Sequence, residues 1–545
     1  MKKLILLLNF ISHIVYSQTY SVVEKQIEVT SHVYNSFILE MSSGNTILIQ
    51  MEPKIEGFLL KTYDNKHDER VSTKIKLEKV KDINDVYVVD FKELNQTPTL
   101  FYIIFTNGIA NFYKATINQY TGETTSEKLH SYKQTDAVMY FYQKNCFYKI
   151  IENKKQTKYC IITGTTSDNK QYEFNVNTYN TNSNQVISKQ SKIINDCFQL
   201  ELLDAIMDDN SVYLCLNKKF KPKESETQGW FTITEVTYIP ENIVSVLQID
   251  IESKKEEEIK LVFLDKIVYS SKAQFNFDVK NNQINLLLSQ INPKDKYGKL
   301  PDVKNLFMKF SKLKFEMLYK KEITNSLAIN KIATMYPEIK IDKSTFVNFP
   351  QYFITDPEGN NTFVFQTVFN SFNKPDGGSS FTQQEFAFEY ANENAEIYSM
   401  QFSTYKHTIN GCLGGSLDEF SFHCNAYTKS HSPRFFSADY DYYHFKILDI
   451  GDKMATILNL HPKNIEKNLS EKLIGNTEKD IMTPMILCTN KNYYSFEKVF
   501  NDSEKYGKLR FNVNVSSYNP KNKIYSVLAT ELGGKKERLV WIKFD

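Results

Sequence analysis

Between His407 and His461 the chain concentrates residue types that bind metals. Five of its nine histidines fall there, with Cys412, Cys424 and several carboxylates close by. The five are His407, His423, His431, His444 and His461. Zinc sites use ligands at short spacings such as H-x-H, two histidines four residues apart, or C-x-x-C, and this segment has none of them. The sequence therefore predicts ordinary loop histidines, with no metal site and no cofactor.

Four aromatic residues are the best candidates for contacting a ligand. Trp230 and Phe231 follow a glycine in a long segment without strand alternation. A tryptophan in this setting can stack on a sugar ring or anchor a protein partner, or it can pack its own segment onto the scaffold. Tyr440 and Tyr442, near the end of the longest such segment, complete the predicted binding set. Trp541 lies in the last apolar run and is predicted to be core.

The acidic residues do not resolve into a catalytic pair. Glycoside hydrolysis needs two carboxyl groups about 5–10 Å apart, a spacing that sequence separation cannot establish. Asp208, Asp209, Asp356 and Asp449 all lie at or before chain reversals, where aspartate serves turn geometry. The sequence contains no nucleophile elbow, no phosphate-binding Walker loop and no dinucleotide glycine fingerprint. Catalytic residues are therefore not assigned.

The chain has seven cysteines. Cys412 and Cys424 share one glycine-rich segment and form the favoured disulfide candidate, because a local bridge would replace a missing core. Two weaker candidate pairs are Cys146–Cys160 and Cys197–Cys215. The odd number leaves at least one thiol, with Cys488 as a candidate, and buried unpaired cysteine is the alternative for all seven.

One pattern recurs along the chain and must position these residues. Two apolar-alternating runs flank a turn rich in Gly, Asn or Asp, which predicts a β-hairpin. The copies lie at 37–51, 86–105, 138–151, 202–216, 275–290, 352–366, 444–458 and 511–528. A third alternating run and often a fourth follow each hairpin, with no helical pattern between units. Eight four-stranded antiparallel units are therefore predicted.

The two ends of the chain complement one another. The last unit has three runs, 509–515, 524–530 and 538–544, and 20–29 is a lone strand without a hairpin partner. Pairing these segments in one sheet would hide an exposed edge. Seven units remain the alternative if the copy near Asn95 or Asn145 is misread, and a pair of packed sheets is the structural rival.

The repeated hairpins resemble those of the β-propeller superfamily, and the resemblance covers about residues 20–545. It implies an all-β fold of eight blades. Residues 355–363 are similar to the Asp-box turn of sialidase-like propellers, but the spacing from Asp356 to Gly359 differs from that motif and the segment occurs once. Sialidase functional residues are therefore not transferred. Several exported propellers bind glycans or proteins, which is as far as the resemblance reaches.

The N-terminus predicts export. Lys2 and Lys3 precede the apolar run Leu4–Val15, and cleavage is expected between Ser17 and Gln18. An uncleaved anchor is the alternative, although the run is shorter than the ~20 residues that a membrane span needs. The sequence thus predicts a signal peptide at 1–17, a single propeller domain at 18–545 with no later transmembrane segment, and a periplasmic or secreted location.

The balance of basic and acidic residues and the lengths of the predicted loops limit the functions that the sequence supports. Removal of residues 1–17 leaves 64 basic and 64 acidic residues, which argues against nucleic-acid binding. Long insertions are predicted at 217–241, 291–303, 370–384, 407–441 and 461–483, and all would leave the same face of the disc. Because loops on a rigid scaffold carry many binding sites, a scaffold for a protein or glycan partner is favoured. The alternative is an exported carbohydrate-active enzyme, a glycosidase or lyase, with carboxylates in the central funnel.

Overall fold

The structure of the protein is a computed structural model. It describes residues 20–27, 36–51, 57–76, 83–106, 109–133, 147–167, 171–195, 197–220, 241–261, 270–292, 302–323, 346–373, 380–392, 397–401, 405–410, 446–451, 454–460, 483–490, 493–500, 509–531 and 537–545.

The strands form eight antiparallel sheets, which we number as blades 1 to 8. Blade 1 contains β2 (Ser36–Glu40), β3 (Thr46–Met51), β4 (Gly57–Tyr63) and β5 (Glu69–Lys76). Blade 2 contains β6 (Ile83–Leu94), β7 (Thr97–Thr106), β8 (Ile109–Ile117) and β9 (Thr124–Lys133). Blade 3 contains β10 (Phe147–Glu152), β11 (Lys158–Ser167), β12 (Gln171–Asn180) and β13 (Val186–Ile194). Blade 4 contains β14 (Cys197–Met207), β15 (Ser211–Phe220), β16 (Glu241–Asp250) and β17 (Glu256–Leu261).

The second half repeats this arrangement. Blade 5 contains β18 (Ser270–Asp278), β19 (Gln283–Asn292), β20 (Asp302–Ser311) and β21 (Met317–Ile323). Blade 6 contains β22 (Phe346–Thr355), β23 (Asn361–Asn373), β24 (Ser380–Asn392), β25 (Ile397–Gln401) and β26 (Tyr405–Asn410). Blade 7 contains β27 (Lys446–Asp449), β28 (Met454–Leu460), β29 (Thr483–Asn490) and β30 (Tyr493–Lys498). Blade 8 contains β31 (Leu509–Asn519), β32 (Ile524–Glu531), β33 (Glu537–Phe544) and β1 (Tyr20–Ile27).

The two chain ends meet in blade 8, as the sequence predicted. β1 pairs antiparallel with β33 over its whole length, from Tyr20 opposite Phe544 to Ile27 opposite Glu537. The N-terminal strand therefore supplies the fourth strand of the last blade and covers an edge that would otherwise be open.

Hydrogen bonds or ion pairs cross all eight junctions between neighbouring blades, so the ring is closed. The Ser517 hydroxyl of blade 8 accepts from the Glu40 amide of blade 1, and the Ser42 amide, two residues further on, donates to Glu93 of blade 2. The remaining contacts are Lys92–Glu152, Lys149–Asp204, Phe275–Asp204, Gln274–Phe353, Ile447–Tyr352 and Phe511–Asn459. First strands carry most of these contacts, which places them innermost. The protein is an eight-bladed β-propeller.

The hydrophobic core lies between the blades. Each apolar cluster combines the facing sheets of two neighbours: one joins Ile47 and Phe58 of blade 1 to Leu100 and Tyr102 of blade 2, for example. Trp541 is 1% exposed in the cluster shared by blades 8 and 1, as predicted. Both faces of the sheets are thus buried, which is why many strands read as continuous apolar runs.

Two sequence expectations need correction. The hairpin assigned to 138–151 lies further on, because β10 and β11 are joined by the turn at 153–157. Residues 138–146 lie outside the described part. The two weaker disulfide pairs are wrong, because Cys160 and Cys215 are free, fully buried thiols. Burial raises the pKa of Cys160 to about 12, and it also raises the pKa of Cys215.

Among the described residues, no helix has the length and apolar character needed to cross a bilayer.

Candidate functional site

The strand order divides the loops between two faces of the ring. Because successive strands alternate in direction, turns between first and second strands and between third and fourth strands share one side, the turn face. Connections from second to third strands and from each blade to the next share the other side, the insertion face. The insertions predicted from the sequence leave the ring on this second face.

The structure shortens some of these insertions. Asn370 to Asn373 pair with Gln383 to Ser380, so most of the segment predicted as a loop at 370–384 extends β23 and β24. The start of the insertion predicted at 407–441 belongs to β26, which pairs with the first half of β24. Blade 6 therefore carries strands of 13 residues that reach further toward the insertion face than the strands of neighbouring blades.

The predicted ligand-binding and disulfide residues lie outside the described part. They are Trp230, Phe231, Tyr440, Tyr442, Cys412 and Cys424. Their roles remain predictions. Three of the four turn aspartates behave as expected: Asp208 accepts from the Asn210 and Ser211 amides, Asp356 from the Asn360 amide and Asp449 from the Gly451 amide. Asp209 instead accepts from the side chains of Asn153 and Lys155 in blade 3.

The channel wall is built from the inward edges of the first strands. Among the described strands, none of the same sheet pairs with this edge, so its amides and carbonyls need other partners. Neighbouring blades supply them with side chains. Asp204 of blade 4 accepts from the Phe275 amide of blade 5 at 2.7 Å, and Gln274 and Asn276 donate to the Phe353 carbonyl of blade 6 at 3.0 and 2.6 Å.

β-Bulges place several of these side chains, and they alternate around the ring. The first strands of blades 2, 4, 6 and 8 each slip in register against their second strands, before Asp90, Asp204, Tyr352 and Ser516. The described first strands of blades 1, 3, 5 and 7 pair without a slip. The slip before Asp90, Asp204 and Tyr352 adds one residue, whereas the slip before Ser516 adds three. Each re-aims the side chains that follow it.

Side chains of bulged strands accept hydrogen bonds from backbone amides of the next blade. The Tyr352 hydroxyl accepts from the Ile447 amide at 3.1 Å, and the Ser517 hydroxyl, one residue beyond the bulge, accepts from the Glu40 amide at 3.0 Å. Asp204 plays the same part toward Phe275. In blades 4, 6 and 8 the side chain of a bulged strand thus satisfies an inward amide of a regular strand, whereas in blade 2 Lys92 donates to the Ile150 carbonyl of blade 3.

Blades 2, 3 and 4 carry the charged part of the wall. Lys92 Nζ lies 2.9 Å from Asp90 Oδ2 and 2.5 Å from Glu152 Oε2, and it donates to the Ile150 carbonyl at 3.2 Å. Burial opposes charging of Lys92, but the two carboxylates raise its pKa above the ordinary value. Lys92 is therefore a fixed cation that joins blades 2 and 3.

Lys272 is a titratable residue of β18, the first strand of blade 5. It stands two residues before Gln274 in β18, opposite Ser289, and its side chain is partly buried. Burial lowers the pKa of Lys272 to about 7, so a substantial fraction is neutral at neutral pH. An amine in this state can accept a proton.

These groups limit the chemistry of the described wall. Most of its polar side chains bond to a neighbouring blade, and no group of three or more metal-ligating side chains occurs in the described ranges. The wall thus works chiefly as a brace, and two of its first-strand groups, Lys272 and Glu40, have a pKa that burial shifts toward neutrality.

Sequence reasoning missed a second repeat, in the turns between third and fourth strands. Asn118, Asn180, Asp250 and Ser311 each begin such a turn, and the amide of each donates to the carbonyl five residues later. Four residues after each of them the backbone has positive φ, at Gly122, Asn184, Lys254 and Phe315. The signal was a polar residue that directly follows an apolar run, repeated at intervals of one blade.

Comparisons with known proteins give distant likenesses of fold. No family profile and no curated protein matches the sequence. The WD40 domain of SCAP from fission yeast superposes at 7% identity and a TM-score of 0.37, covering 97% of this chain and 96% of that one. The β-propeller domain of Nup133 from Vanderwaltozyma polyspora gives 10% identity and a TM-score of 0.34, covering 85% and 100%.

An enzyme structure gives a similar result. A polysaccharide lyase described as an ulvan lyase superposes at 9% identity and a TM-score of 0.34, covering 71% of this chain and 98% of that one. Scores at this level carry no functional argument, so the fold rests on the strand pairing and the blade junctions.

Proposed function

We propose that the protein is an exported binding scaffold that recognises a protein or glycan partner through its insertion face. The supporting observation is an asymmetry. The long connections 221–240, 411–445 and 461–482 all leave from that face, whereas the turn face consists of short turns. Long loops on a rigid frame provide adaptable contact surface, and the braced channel wall provides the frame.

The test combines an unbiased ligand search with variants on the two faces. The chain beginning at Gln18 would be applied to a glycan array and used as bait in a pull-down. Trp230→Ala and Tyr440→Ala should weaken binding of the ligand found. Tyr120→Ala is the matched control, because Tyr120 is a 70% exposed aromatic in a turn-face loop. Equal weakening by the control, or unchanged binding by both insertion variants, would contradict the proposal.

Export is tested separately. The complete chain, expressed in a bacterium with an outer membrane, should accumulate outside the cytoplasm with Gln18 as its N-terminal residue. Cytoplasmic protein that still begins at Met1 would contradict export while leaving the binding proposal open.

A second candidate is a carbohydrate-active enzyme, favoured by the lowered pKa of Lys272 on the channel wall. A polysaccharide lyase needs a base that removes a carbon-bound proton, and a neutral amine can act in this way. Activity of the chain on acidic polysaccharides that disappears in Lys272→Met, with an unchanged melting temperature, would replace the scaffold by this enzyme. Activity unaffected by that substitution would exclude Lys272 as the base.

A further inference from the structure

The outer edge of blade 5 carries an unusual group of exposed apolar side chains. Met317, Leu318 and Tyr319 are exposed in succession along β21. Leu313, in the preceding turn, is 86% exposed, and Val279, in the adjacent turn of the same blade, is 67% exposed. Single exposed apolar residues are ordinary, but a contiguous group marks an interaction surface. We call this surface, with its lysines, the blade 5 rim.

The rim also presents backbone hydrogen-bonding groups. β21 pairs with β20 along one edge, from Phe310 opposite Met317 to Asn305 opposite Ile323. In the described part of the chain no strand pairs with the other edge. Amides and carbonyls on such an edge can receive an additional extended strand.

Positive charge surrounds these apolar groups. The lysines of the rim are Lys280, Lys309, Lys312, Lys314, Lys320 and Lys321. Lys309 Nζ lies 5.6 Å from the Phe307 ring centre and 5.7 Å from that of Tyr319. Carboxylates are fewer than lysines on this surface: Glu316 lies 3.9 Å from Lys314, Glu322 is exposed on β21, and Asp208 of blade 4 pairs with Lys312 at 2.7 Å.

The outer strand of blade 4 shows the contrast. Its three glutamates, Glu256, Glu257 and Glu258, are each joined to a lysine of the same or a neighbouring blade. Charges there are matched within the molecule. The excess of lysine at blade 5 is therefore a local feature in a chain whose total charge is nearly balanced.

We propose that β21 accepts an extended acidic polypeptide segment with alternating apolar side chains as a fifth strand of blade 5. The open edge would supply backbone hydrogen bonds, the lysines would attract carboxylates, and Leu318 and Tyr319 would contact the apolar side chains. This surface is distinct from the insertion face. Lysines on an edge strand oppose pairing of two identical edges, so a second copy of β21 is disfavoured as occupant. A bilayer is also disfavoured, because lipid offers no partners for a bare strand edge.

Binding is measured with a fluorescent dodecapeptide of alternating glutamate and valine, added to the chain from Gln18 onward. Lys320→Glu combined with Lys321→Glu should weaken binding about tenfold or more, because two attractive charges become repulsive. The matched control is Lys74→Glu with Lys76→Glu, on the outer strand of blade 1. Circular dichroism checks that both double variants remain folded. Equal weakening by both, or no binding at low salt, overturns the proposal.

Strand addition is separated from charge attraction by a second peptide. N-methylation of its valines removes their amide donors and leaves every charge in place. Binding should be lost, whereas the unmodified peptide should protect the amides of 317–323 from hydrogen exchange. Equal binding of the methylated peptide, or no protection of β21, overturns strand addition.

Two other outcomes would assign the rim to a different occupant. Sedimentation with vesicles of anionic phospholipid that depends on Lys320 and Lys321, without peptide binding, would overturn the proposal in favour of a lipid surface. Self-association of the unaltered chain that disappears in the Lys320→Glu, Lys321→Glu variant would overturn it in favour of a second copy.

Discussion

Blade 8 meets blade 1 through a buried, mostly neutral network, whereas blade 2 meets blade 3 through a partly exposed ion-pair cluster. At the first junction Trp541 Nε1 donates to the Thr46 hydroxyl at 2.7 Å. Thr46 and Ser526 both donate to Glu40 Oε2 at 2.6 Å. At the second junction Lys92 bridges two carboxylates at the channel wall.

The difference follows from connectivity. Blades 2 and 3 are consecutive in the chain, so the backbone itself joins them, and ions that retain some water are sufficient to orient them. The chain continues from β1 of blade 8 into β2 of blade 1, but β1 itself is held in blade 8 by its pairing with β33. Burial of a hydrogen-bonded network there couples closure to the apolar core.

The largest expected effect comes from opening the ring. A chain that begins at residue 28 lacks β1 and leaves β33 with an unpaired edge. We expect loss of the cooperative thermal transition or aggregation, measured by calorimetry and light scattering against the chain from Gln18. A monomer with an unchanged melting temperature would show that strand pairing is not what closes the ring.

Trp541→Ala should lower the free energy of unfolding by about 3–5 kcal/mol, because the indole is fully buried. The indole stacks on His67 at 4.5 Å and meets Tyr63 edge-on at 5.5 Å, and both contacts would be lost. Trp541→Phe keeps much of the packing, removes the bond to Thr46, and should cost less. Denaturant titration distinguishes the two, and equal losses would mean that the hydrogen bond dominates.

Glu40 makes the closure junction sensitive to pH. Burial raises the pKa of Glu40 to about 8, against 4.5 for a free carboxyl group, although Ser526 and Thr46 donate to it. The folded state therefore binds a proton that the unfolded state releases, and stability present below pH 4.5 is lost as pH rises toward 8.

Glu40→Gln keeps a neutral hydrogen-bonding group and removes this dependence. The stability of the variant relative to the unaltered protein should increase by about 1.4 kcal/mol per pH unit between pH 4.5 and 8. Burial also raises the pKa of Glu537, to about 7, so part of the slope persists in the variant. Parallel curves of unfolding free energy against pH for the two proteins would contradict the assignment.

Lys92→Met should have the smallest effect, about 1–2 kcal/mol, because the ion pairs at the blade 2–3 junction keep access to water. A double-mutant cycle with Glu152→Gln isolates the pairwise energy. Lys155→Met, which removes an exposed pair with Asp209 on the turn face, is the control and should leave stability unchanged within error. A loss as large as that of Trp541→Ala would remove the contrast between the junctions.

The hairpins and the ring closure were predictable because local residues encode them. Alternation and turn residues fixed seven of the eight hairpins. In blade 3 the turn was predicted at Asn145, but it lies at Asn153. Both asparagines lie between apolar segments, so the sequence pattern does not distinguish them. The position of the strand at 20–29 could be predicted because it had no hairpin partner and the last unit lacked a fourth strand.

The channel wall was not predictable, because its partners lie far apart in sequence. Lys92 and Glu152 are separated by 60 positions, and nothing local to either residue identifies the other. The bulges left a faint trace: an apolar pair followed by aspartate, at Val88-Val89-Asp90 and Leu202-Leu203-Asp204, interrupts the alternation. Trp230 was predicted to contact a ligand because it follows a glycine in a long segment, and it lies outside the described residues.

The alternation of bulged and regular first strands restricts how such a ring can change in size. Excision of a single blade would bring two bulged strands, or two regular ones, side by side. Loss of blade 4, 6 or 8 would leave the inward amide of the following first strand without its acceptor, and loss of blade 5, 7 or 1 would leave Asp204, Tyr352 or Ser517 without its donor. Excision or duplication of two adjacent blades would restore the order. We therefore expect an even number of blades in any viable rearrangement of this ring, with the pair as the unit of growth.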